Sequence, residues 1–326
     1  MKKALILILA LIGFSGPAAA LVITTNVGAT PETTLSNALL GASSGISIVG
    51  GSETYQGNST FPQSGTYTGF NLAPSSGSTP TLVLPDGILL TSGHSDLPLT
   101  NTVNNFSNNI GSTTGSGSSA ELSTLSASAG GSSTTNDANL IGFDFTVGAG
   151  ITSVEAQFVF GTDEFPTQSV TDIFGFFVDG VNYAQFPGGE LISNTPGNPT
   201  NFISNPVGGG LYDIEYNGLT QVFDVAGLLD LSLSTHTFLM GVADTSDSIW
   251  DSGVFIAGLT AGTTTGGGGI CDPATDPFQC QGPPDCDPAT DPLGCEPPVG
   301  VPEPSIIALF AAGLFGIGFA RRRMRS

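Results

Sequence analysis

Ser153-Val-Glu-Ala-Gln-Phe-Val-Phe-Gly161 runs into Thr162-Asp163-Glu164-Phe165-Pro166, and Asp172-Ile-Phe-Gly-Phe-Phe-Val178 follows a few residues later. Two short runs of β-branched and aromatic residues, bounded by Gly, Pro and Asp, read as strands joined by a turn. The same signal recurs on both sides, over residues 45–55, 81–90, 140–147, 212–216, 236–242 and 252–259. Helical periodicity is scarce. The clearest helix runs from Pro31 to Leu40, with Thr30 as N-cap, Pro31 in the first turn and Gly41 at the stop. Leu122 and Leu125 would pin one more helical turn within the Gly/Ser/Thr/Ala-rich loop of residues 111–135. The pattern predicts an all-β fold, a single β-sandwich or jelly-roll-like domain over residues 21–261. Phe158, Phe160, Phe174, Phe176 and Phe177 are expected in its core.

Charge is distributed unevenly. All six basic residues stand at the extremities, Lys2, Lys3, Arg321, Arg322, Arg323 and Arg325. The 27 acidic residues less Glu303 leave 26 between Leu21 and Gly300, with no Lys or Arg among them. So acidic a body excludes nucleic acid as a partner. It also excludes lysine Schiff-base chemistry and guanidinium or P-loop phosphate clamps.

Each basic cluster borders an apolar run. Lys2 and Lys3 precede eleven apolar residues, Ala4 to Phe14, and then Ala18-Ala19-Ala20. Residues 1–20 therefore read as a secretory signal peptide, with Ala18 and Ala20 forming the A-x-A site for signal peptidase. At the other end, Pro302-Glu303-Pro304 precedes sixteen mostly apolar residues, Ser305 to Ala320, and then the arginines. Such a helix would span roughly 24 Å, so it crosses only a thinned bilayer, and its arginines would hold the C-terminus inside.

Residues 262–300 form a linker. A Gly/Thr stretch leads into two copies of Cys-Asp-Pro-Ala-Thr-Asp-Pro, running from Cys271 to Cys280 and from Cys286 to Cys295. The repeat favours disulfides within each copy, and the spacing lacks the short cysteine pairs of a zinc site.

The carboxylates carry the candidate chemistry. Asp163, Glu164 and Asp172 flank the ends of two strands, and Asp244, Asp247 and Asp251 lie in one later stretch. Converging carboxylates need protons, hydrogen bonds or a cation, and here no side chain except His94 or His236 can supply a positive charge. Ca2+, which takes six to eight oxygen ligands, is the natural substitute; solvated turns and caps are the other reading. A Gly-x-Ser-x-Gly match at Gly41 to Gly45 has a helix before it and a strand after it, the reverse of a nucleophile elbow.

Two resemblances follow. Pro302-Glu303-Pro304, the apolar run and Arg321, Arg322 and Arg323 resemble the PEP-CTERM sorting signal of Gram-negative bacteria. That implies that residues 301–326 are a sorting signal recognised by an exosortase, with transient anchoring in the inner membrane and then removal of the helix and arginines. Leu35 to Val49, Leu84 to Gly93, Asp137 to Phe145, Phe158 to Gly180 and Gly241 to Phe255 resemble the choice-of-anchor L domain. That implies an exported bacterial surface protein without an established reaction. The leading expectation is a non-catalytic surface or matrix protein, calcium-stabilised and adhesive, with exopolysaccharide as partner. The alternative is a secreted carbohydrate-binding or glycan-processing module.

Overall fold

The computed structural model describes residues 20–264, except 26–27, 59–60, 78, 104–115, 167–171 and 194–198. Ala18, the four cysteines, Pro302-Glu303-Pro304, the apolar C-terminal segment and the arginines lie outside the described residues. Among the described residues, no helix is long and apolar enough to cross a membrane.

The first half of the domain comprises β1 (Val22–Thr25), α1 (Pro31–Leu39), β2 (Ile46–Ile48), β3 (Thr54–Gln56), β4 (Ser64–Thr68), β5 (Asn71–Leu72), β6 (Leu82–Val83) and β7 (Gly87–Thr91). Then come α2 (Ala120–Ser128), β8 (Thr135–Val147), β9 (Ser153–Thr162), β10 (Ile173–Val178), β11 (Val181–Asn182) and β12 (Phe202–Ser204). The last four are β13 (Gly218–Thr220), β14 (Phe223–Leu228), β15 (His236–Thr245) and β16 (Ser252–Gly262).

Among the described residues two large antiparallel sheets result, with β5 and β6 forming a separate two-stranded one. The first has the order β1-β4-β7-β16-β9-β13-β12, with β14 also paired to β9. The second has the order β11-β10-β15-β8-β2, with β3 also paired to β8. Alternation along the strands decides what faces inward. Phe158 and Phe160 of β9, Val254 and Ile256 of β16, Phe174 and Phe176 of β10 and Met240 and Val242 of β15 share one buried core. The Phe158 and Phe174 rings meet across it with centroids 5.2 Å apart. Opposite residues such as Val159 and Phe255 face a second core with Tyr67, Phe70 and Tyr216. A smaller cluster joins α2, through Leu122, to Phe177 on the outer face of β10. All five expected core phenylalanines are buried.

Local readings fail where chemistry outside the segment decides the structure. The 45–55 run is two strands, because Gly51, at φ +81°, turns the chain so that β2 and β3 pair with successive stretches of β8. The helix around Leu122 runs nine residues, with the Ser119 hydroxyl accepting from the Leu122 N–H as its cap. Thr30, by contrast, makes no side-chain cap. Residues 212–216 are not a strand. Tyr212, Ile214 and Tyr216 do alternate into the second core, but the side chain of Asn205 takes the place of a partner strand. Its Oδ1 accepts from the N–H groups of Leu211 and Tyr212, and its Nδ2 donates to the carbonyls of Ile214 and Tyr216.

Between those inward residues, buried Glu215 faces the other way and fastens residues 100–103. It accepts from the Thr100 hydroxyl at 2.6 Å, the Thr102 hydroxyl at 3.0 Å and the Val103 N–H at 2.9 Å. Burial alone would raise its pKa. The hydroxyl and N–H donors of Thr100, Val103 and Thr102 together override that and hold it below the ordinary glutamate value. Replacing Glu215 with Gln should therefore cost about 1–3 kcal/mol in urea denaturation at neutral pH. The deficit should shrink as pH falls below the ordinary glutamate range, where the wild-type carboxylate takes up its proton.

Candidate functional site

The strand register brings the acids together. Thr162 of β9 pairs with Ser252 of β16, so the next residues outward, Asp163 and Asp251, face each other, and the Asp163 N–H donates to the Asp251 carbonyl at 3.2 Å. Ile173 of β10 pairs with Ala243 of β15, which sets Asp172 opposite Asp244 in the other sheet. Two cross-strand pairs of like charge thus lie at the same end of the sandwich, an arrangement sheets normally avoid. Alternation puts Asp172 on the face of Phe174 and Phe176, and Asp244 on the face of Met240 and Val242, in line with the core.

Six carboxylates are gathered: Asp137, Asp163, Glu164, Asp172, Asp244 and Asp251, none more than 3% exposed. Five were expected from the sequence. Asp247 is exposed at the rim, where its Oδ1 accepts from the Ile249 N–H and its carbonyl from Asn136 Nδ2. Asp137 was missed because it sits in a β-bulge. The β15–β8 register slips between Val242 and Asp244, and Asp137 takes φ +46°. Bulges re-aim a side chain without any mark in the hydrophobic pattern.

Glycines make the room. Gly161 and Gly253 are cross-strand partners, and the ring and hydroxyl of Tyr216 occupy the space where their Cβ atoms would stand. A Cβ on Gly93 would overlap the Asp251 carboxylate in the same way. Neutral groups complete the surroundings. The Asn217 N–H donates to Asp163 Oδ1 at 3.2 Å, and the Ser92 hydroxyl accepts from the Ser252 N–H at 2.9 Å.

Residues 21–300 contain no lysine or arginine to balance this charge. His236 bonds Asp179 at 2.8 Å through Nδ1, but it stands eight residues from Asp244 on β15, about 26 Å along the strand. His94 leans on Phe61 and lies 3.6 Å from Asp96, outside the buried group.

Protons therefore bind tightly. Burial, then the charge of Asp172, Asp247 and Asp163, pushes the Glu164 pKa far up. Burial raises Asp172 to about 8 with help from Asp251, against the easing effect of nearby Ser252, Asp244 and the Thr245 backbone. Asp244 is raised well above the ordinary range by burial and by Asp172 and Asp251. Burial takes Asp137 to about 6. Neither oxygen of Asp172 or of Asp244 completes a hydrogen bond of good geometry, and neither do Glu164 Oε2 and the Ser252 hydroxyl. Among the described residues, no three His, Cys, Asp or Glu side chains form a ready-made metal-holding group.

The family model for the choice-of-anchor L domain matches residues 25–260, and the PEP-CTERM protein-sorting motif matches residues 300–323. The chain belongs to the choice-of-anchor L family. It is an exported surface protein whose PEP-CTERM motif directs processing by an exosortase-type sorting enzyme. No curated protein and no solved structure matches it. All six buried acids fall within the choice-of-anchor L region, and neither the domain nor the motif is an enzymatic family.

These pKa directions give a pH dependence. A carboxylic acid whose pKa is raised by folding contributes stability below its unfolded pKa, and that stability is lost as pH rises through the folded value. In EDTA, the melting midpoint should fall as pH climbs from near 4 through the Asp137 value of about 6 and the Asp172 value of about 8. Asp172→Asn should flatten the upper part of that decline in calorimetry.

Proposed function

We propose that the chain is a non-catalytic, adhesive component of the bacterial cell surface or extracellular matrix, with a calcium-stabilised sandwich as its working part. The observation that carries the reading is where the acids stand. They are closed off from solvent, so a polymeric substrate cannot reach them, and general acid–base chemistry on a glycan needs carboxylates that flank the scissile bond. That weighs against the glycan-processing alternative.

The geometry of the chain exit supports display. β16 begins beside Asp251 and runs eleven residues, about 35 Å, to Gly262. There Thr264 is tied to the sandwich, its N–H donating to Ser153 Oγ and its hydroxyl to Glu155 Oε1. The route to the linker and sorting tail thus leaves from the end remote from the acids. The β15–β16 connection, with Ile249 48% exposed, lies at the opposite tip and is presented outward.

In this reading signal peptidase cuts after Ala20 and the Cys-Asp-Pro repeats form a disulfide-stapled stalk. The apolar tail anchors the chain in the inner membrane until an exosortase acts at Pro302-Glu303-Pro304, and exopolysaccharide is the matrix the tip meets.

Replacing Pro302, Glu303 and Pro304 with Ala should leave the chain in the inner-membrane fraction with Arg321 to Arg323 still attached by mass spectrometry. Release at unchanged mass would overturn the sorting step. The purified chain, screened on a glycan array with Ca2+ and with EDTA, should release no cleavage products and should not saturate on a single glycan. Saturable recognition or product release would replace the matrix reading with the carbohydrate-module one.

A further inference from the structure

We propose that Asp163, Glu164, Asp172, Asp244 and Asp251, with the Ser252 hydroxyl, bind calcium at the tip and lock the two sheets together there. This deepens the calcium-stabilised reading above and rests on it. The first argument is origin. Asp163 and Asp251 end strands of one sheet, Asp172 and Asp244 border strands of the other, and Glu164 lies in the connection between the sheets. An ion held by members of both pairs adds a charged tie between layers that otherwise meet through apolar contact and neutral hydrogen bonds such as Asn139 to Thr91.

The second argument is the set of groups left wanting a partner. Ser252 is fully buried, and its hydroxyl, directed at the Asp172 carboxylate, completes no hydrogen bond of good geometry. Tyr216 Oη is buried over Gly253 and, with the Thr91 side chain beside it, likewise completes none of good geometry. Orphaned polar atoms in a protein interior need an explanation such as an ion. Five separate oxygens of Glu164, Asp172 and Asp244 stand with them in the same condition.

The third argument is donor chemistry. Every group in the site offers oxygen, with neither sulfur nor imidazole, which favours a hard cation over zinc or copper. Calcium accepts six to eight ligands in irregular geometry. Magnesium demands an octahedron and keeps several waters, for which a closed site of protein oxygens has little room. The acids stand as pairs and not as a finished triad, so binding draws their carboxylates together. Trp250, the only tryptophan in the sequence, adjoins Asp251 and reports that change.

The test uses the full chain stripped with EDTA and then given Ca2+ or Mg2+ alone. At a hundredfold excess over Kd, Ca2+ should raise the melting midpoint by roughly 5–10 °C, and Mg2+ should raise it far less. Native mass spectrometry should show bound calcium, and Trp250 emission should change saturably. The double variant Asp172→Asn/Asp244→Asn should lose most of the calcium-dependent rise, while in EDTA it melts no lower than wild type because the repulsion is gone. Asp247→Asn should keep the rise. Equal midpoints with no bound metal would overturn the site, as would a full rise in the double variant or an equal rise with Mg2+. Those results leave tail processing and glycan screening unaffected, so a failure here is distinguishable from a failure of the surface-protein reading.

Discussion

Mutual repulsion among six buried carboxylates, in a domain without a single lysine or arginine, is the constraint on which the tip of this molecule depends. Removing ionised carboxylates from water is so costly that the groups hold protons or recruit a counter-charge. Local features that look unrelated serve the same arrangement. The bulge at Asp137 turns a strand residue inward, Gly93 leaves space for Asp251, and the Gly161–Gly253 pair lets Tyr216 lie across the sheet. Each is a concession in backbone regularity or packing made where the acids meet.

Elsewhere the absence of basic residues shifts the work of cross-linking to amides and hydroxyls. Gln63 Nε2 donates to the carbonyls of Ser92 and Asp137, and Asn139 Nδ2 donates to those of Gln63 and Thr91. Asn205 stands in for a strand, and the Ser64 hydroxyl donates to Asn139 Oδ1. These neutral bonds each contribute about 1 kcal/mol, but they escape the salt screening and desolvation cost that surface and buried ion pairs suffer. Fastening of this kind depends on keeping the interior dry.

Much of this was legible in the sequence. Period-two runs located β8, β9, β10, β15 and β16, and of the acids expected to converge at their ends, all but Asp247 are buried at one end of the sandwich. What stayed hidden depends on register and on distant side chains. Asp137 joins the site only through a bulge. The regular alternation of Tyr212, Ile214 and Tyr216 suggested a strand, whereas their backbone partners come from one asparagine side chain. β13 and β14 went unnoticed since residues 218–228 carry neither the length nor the aromatic density of the central strands.

Topology also orders events in time. β16 is the last strand among the described residues, yet it lies between β7 and β9 in the middle of the first sheet and supplies Val254 and Ile256 to the main core. Neither the core nor the Asp163–Asp251 pair can close until residues 252–262 have emerged. Before then the acids are spread along an open, hydrated chain and repel little. Afterwards they are brought together at once by the same strand that completes the sandwich. The repulsion at the tip therefore arises when β16 takes its place between β7 and β9.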